Sequence, residues 1–160
     1  MQDRYRNQRL IRFNMSIIRT DNEVDSLEIL KLVRETADYY RQMAELLVEE
    51  NLDKRLTKLA RERETFIAPF EKVVKQLDEL PARPDPDKEL MQQFGGKLTQ
   101  LFSSDARNAI LDKCLEQDHK LADLVRHTKL GELSADIQQL LDQLADNLSD
   151  SKKTLQALKD

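Results

Sequence analysis

Leu56-Thr-Lys-Leu59-Ala-Arg-Glu-Arg63-Glu-Thr-Phe66-Ile-Ala-Pro-Phe70-Glu-Lys-Val73-Val-Lys-Gln-Leu77-Asp-Glu-Leu80 is the stretch that decides the fold. Its apolar residues recur at alternating spacings of three and four, which is one face of an α-helix and not of a strand. Two features break the pattern. Arg63 places a charge inside the apolar stripe. Pro69 lacks a backbone donor and crowds the carbonyl four residues earlier. Because the stripe continues on both sides of Pro69, the sequence predicts a kink and not an end.

The same pattern recurs outward from this stretch. Asp25-Ser-Leu-Glu28 reads as a capped start, followed by Leu30, Val33, Ala37, Tyr40, Ala44 and Leu47. On the C-terminal side, Pro81-Ala-Arg-Pro-Asp-Pro-Asp87 is the one real linker, made stiff by three prolines. A short amphipathic segment follows it, with Leu90, Met91, Phe94, Leu98, Leu101 and Phe102 around Gly95-Gly96. Ser103-Ser-Asp105 then caps a stripe of Leu111, Cys114, Asp118, Leu121, Ala122, Val125 and Thr128, which Gly131 should stop. From Ser134 the last stripe runs through Ile137, Leu140, Leu141, Leu144, Leu148, Ser151, Leu155 and Leu158. Four long stripes of this kind pack as an all-α four-helix bundle. The short extra helix falls between the second and third long ones. The sequence leaves open whether the bundle runs up-down-up-down or contains a crossover.

Composition agrees. Of 160 residues, 39% are hydrophobic and 35% charged, with three glycines and no tryptophan. So few glycines exclude a many-stranded barrel and a triple-glycine phosphate loop. The formal charge of −4 does not advertise nucleic acid as a partner. One cysteine excludes an internal disulfide and fits a reducing compartment. No apolar run approaches the roughly 20 residues of a membrane span. No secretory signal is visible, and the expected setting is the cytoplasm. Residues 1–24 read as a basic, mobile arm, with Arg4, Arg6, Arg9, Arg12 and Arg19. Met15 is an alternative start. Residues 25–160 form the bundle domain, with the linker at 81–87.

The pieces Glu35-Thr-Ala-Asp38-Tyr-Tyr40, Met43-Ala44-Glu45, Leu59-Ala60-Arg-Glu-Arg63-Glu-Thr-Phe66 and Cys114-Leu-Glu-Gln-Asp118 carry a resemblance. Over roughly residues 26–158 the chain resembles bacterial ferritin-like four-helix proteins of unknown function, distant relatives of rubrerythrin and bacterioferritin. The resemblance implies a ferritin-like bundle, a bacterial source and links to metal or stress. It implies no agreed activity.

Catalytic bundles of that kind hold two irons with a Glu on each of two helices and a Glu-x-x-His pair on each of the other two. Here Glu116-Gln-Asp-His119 has the spacing. Its facing is wrong, since Glu116 lies opposite the Cys114–Leu121–Val125 stripe and His119 well to one side. Glu62 has Thr65 where a histidine is needed, and Glu35 falls off the Val33–Ala37–Tyr40 face. Glu35, Glu62, Glu116 and His119 therefore form only an alternative metal set. No cofactor is expected, with iron as the alternative.

Arg63 and Asp118 do face inward, on different helices. Isolated buried charges are costly, so the expectation is a buried ion pair between them, held through two parallel bonds. Cys114 on the same stripe reads as a small apolar core residue, and Ser151 as bonded to its own helix. Helix one carries a second apolar line of Leu32, Tyr39, Met43 and Leu46. That line needs a cover, from the short Leu90–Phe102 helix or from a second subunit, so it is a candidate partner interface for a homodimer. Together these readings describe a non-catalytic bundle with a structural, binding or stress-associated role. A degenerate di-iron oxidoreductase or iron-handling protein is the alternative, and a helical adaptor using the basic arm is a third. Any other protein partner is not legible.

Overall fold

In the computed structural model of the chain, residues 20–48, 51–77 and 104–159 are described. All their regular elements are helical. Helix α1 spans Asp21–Leu46, α2 Asp53–Glu64, α3 Ile67–Gln76, α4 Ser104–His127 and α5 Ala135–Leu158. A 3-10 turn, Leu130–Leu133, joins α4 to α5. The basic arm, the proline linker and the Leu90–Phe102 segment lie outside the described residues.

Helix α1 starts one turn before the Asp25 cap read from sequence. Thr20 is the N-cap: its side chain accepts from the Glu23 amide at 3.2 Å, and Glu23 accepts from the Thr20 amide at 3.2 Å. This reciprocal pair satisfies two end amides. Ser26 is instead buried inside the helix, donating to the Glu23 carbonyl. After α1 the chain turns through Asn51, whose φ of 57° is left-handed. Asparagine tolerates this region better than most residues. The turn is closed by the Leu52 amide, which donates to the Leu47 carbonyl.

The second column of the bundle is α2 followed by α3. The hydrogen-bond ladder breaks at Thr65–Phe66, while both residues keep right-handed helical dihedrals. The break falls one turn upstream of Pro69, where its ring would crowd the Thr65 carbonyl. Pro69 thereby sits in the first turn of α3, where amides lack partners anyway. Column direction is thus preserved and the apolar face continues through buried Phe70 and Val73.

Gly131 does not end α4 as read. That helix stops at His127, and among the described residues no glycine has a positive φ. Gly131 lies inside the 3-10 turn, against the Gln138 side chain. Helix α5 is capped by Ser134, whose hydroxyl accepts from the Ile137 amide at 3.1 Å.

Cross-helix pairs give the topology. Arg34 pairs with Glu71 and Arg41 with Glu64, so α2–α3 runs antiparallel to α1. Thr128 at the end of α4 donates to Asp25 at the start of α1, 2.8 Å away. Thus α4 also runs antiparallel to α1. Lys159 at the end of α5 meets Asp112 near the start of α4. The order of directions is up, down, down, up. Leu77 and Ser104 lie at opposite ends of the bundle, which resolves the open choice in favour of a crossover between the second and third columns.

The core forms two apolar clusters along this axis. One gathers Tyr39, Met43, Leu47, Leu56, Leu111 and Leu155. The other gathers Ile29, Val33, Phe70, Leu121, Leu130 and Leu144. Each large aliphatic or aromatic side chain buried there contributes about 1.5–3 kcal/mol.

The second apolar line of α1 is not an open surface. Leu32, Tyr39 and Met43 are 9%, 1% and 1% exposed within the single chain, and Leu46 packs against the first cluster. Flanked by α2–α3 on one side and α4 on the other, α1 buries two faces. The reading of these four residues as a partner interface is therefore corrected.

Candidate functional site: a polar layer at mid-bundle

Between the two apolar clusters lies a layer of polar side chains, one or more from each column. Arg63 and Asp118 form its centre and are 0% and 4% exposed. Arg63 Nη1 is 2.9 Å from Asp118 Oδ1, and Nη2 is 3.2 Å from Oδ2. These are the two parallel bonds of a guanidinium–carboxylate fork.

Every donor of Arg63 has an acceptor. Nη1 also donates to Thr36 Oγ1 at 2.8 Å, Nη2 to Ser151 Oγ at 3.2 Å, and Nε to Asn147 Oδ1 at 2.7 Å. A guanidinium has five N–H groups, and this set uses all of them. Asp118 Oδ2 further accepts from the Tyr40 hydroxyl and from Ser151 Oγ, the latter at 2.7 Å. The guanidinium carbon stands 5.6 Å from the Tyr40 ring centroid, within cation–π range. The Thr36 hydroxyl in turn donates a hydrogen bond to the Leu32 carbonyl at 2.8 Å.

Burial raises the Tyr40 hydroxyl's pKa well above its ordinary value, and the neighbouring Asp118 charge adds to this. Burial alone would loosen the Arg63 proton, but Asp118 beside it more than offsets that, and the guanidinium stays charged. Cys114, buried one turn before Asp118, has its thiol pushed up by burial first and by Asp118 second. A thiol held protonated in this way is a poor nucleophile. Tyr39 is also pushed up, by burial and by Cys114 and Glu116 of α4.

The residues considered for metal are elsewhere. Glu35 is 3.9 Å from Lys31, Glu62 is 3.8 Å from Lys58, and Glu116 is 3.0 Å from Lys113. His119 is 71% exposed and 3.3 Å from Asp123. They lie on three separate helices and do not converge. Among the described residues, no group of three or more His, Cys, Asp or Glu is placed to hold a metal ion. Glu116 and His119 instead line an outer groove between α4 and α5.

Chemically, the layer can hold register and exclude water. Its strongest base, Asp118, is saturated by four donors, and its cation has no free N–H to offer a ligand. Compared with known protein families, curated proteins and solved structures, the chain shows no match.

Thr36, Tyr40 and Asn147 were not picked out from sequence as members of this layer, and Ser151 was read only as bonded to its own helix. A signal existed. Thr36 sits three after Val33 and four before Tyr40, and Asn147 three after Leu144 and four before Ser151. Both positions obey the core spacing.

Proposed function

We propose that this protein is a ferritin-like four-helix bundle without catalysis, with a structural, binding or stress-associated role. One observation carries this reading. The middle of the bundle, where ferritin-like di-iron proteins gather carboxylates and histidines, is filled here by an arginine–aspartate layer with its bonds satisfied. A bound guanidinium places positive charge where a cation would have to sit, and repulsion disfavours both at once. The up-down-down-up course with one crossover supports the ferritin-like assignment, since that connectivity separates ferritin-like bundles from simple up-down ones.

Metal analysis of the protein purified without chelator tests this. The expected result is no stoichiometric iron. About two irons per chain, the loading of a di-iron bundle, would overturn the reading in favour of an oxidoreductase or iron handler.

A further inference from the structure

We draw no further inference here: the strongest candidate, the outer groove between α4 and α5 with its apolar floor of Leu115, Ala122, Val125, Leu141 and Leu148, carries none because nothing in the structure shows what covers it.

Discussion

Asp118 makes a buried contact with every other column of the bundle, through Tyr40, Arg63 and Ser151. Replacing it with alanine leaves a desolvated guanidinium with two of its five acceptors gone. Asp118→Ala should therefore lose about 3–5 kcal/mol in urea unfolding. Tyr40 gives a pH signature. Its folded-state pKa is raised above that of the unfolded chain, so above about pH 10 the unfolded state sheds a proton that the native state keeps. The unfolded state then binds fewer protons, and stability falls as pH rises. Cys114 adds to the same slope, beginning near the ordinary thiol pKa of about 8.5. Unfolding free energies between pH 8 and pH 11 should fall steadily, and Tyr40→Phe should lessen the slope above pH 10 without removing it, because Tyr39 is raised by burial as well. Arg63 and Asp118 were legible in sequence because a charge on an apolar stripe is conspicuous. Thr36 and Asn147 are less conspicuous, because only their three-and-four spacing to Val33, Tyr40, Leu144 and Ser151 marks them, and they carry no charge to stand out against the stripe.

At the scale of elements, the helices were legible and their ends less so. The Asp25-x-x-Glu28 pattern imitates a capping box, but Thr20-x-x-Glu23 makes the real one. Both obey the same spacing, and only the bonded geometry separates them. Thr20→Ala should cost about 1 kcal/mol, seen as a lower urea midpoint with an unchanged slope. Helix α4 shows a different failure: Gly131 looked like a left-handed stop, yet its φ is not positive. The left-handed residue in the described chain is Asn51, in the α1–α2 turn. A β-branched side chain there is strained, so Asn51→Val should cost about 1–2 kcal/mol. At Pro69 the sequence predicts one kinked helix, and the structure has two helices, Asp53–Glu64 and Ile67–Gln76, that continue one column across a break at Thr65–Phe66.

For the whole molecule, the sequence showed four stripes but no direction for them. Direction depends on which ends meet, and pairs such as Thr128–Asp25 and Lys159–Asp112 join residues far apart in the chain. No local pattern marks them as partners. The second apolar line of α1 was misread for a related reason. A stripe count assumes one buried face per helix, whereas α1 is packed from two sides. The polar layer ties these scales together. It divides the core into two apolar clusters and admits one register, because a slip along any column leaves a donor of Arg63 or an oxygen of Asp118 without its partner. A double-mutant cycle on Arg63 and Asp118 measures this directly. Arg63→Met and Asp118→Leu should each lose about 3–5 kcal/mol, and the double variant far less than their sum, since replacing both charges by apolar groups removes the desolvation cost. Losses that simply add, each below about 1 kcal/mol as for an exposed pair, would contradict a buried layer that holds the bundle in register.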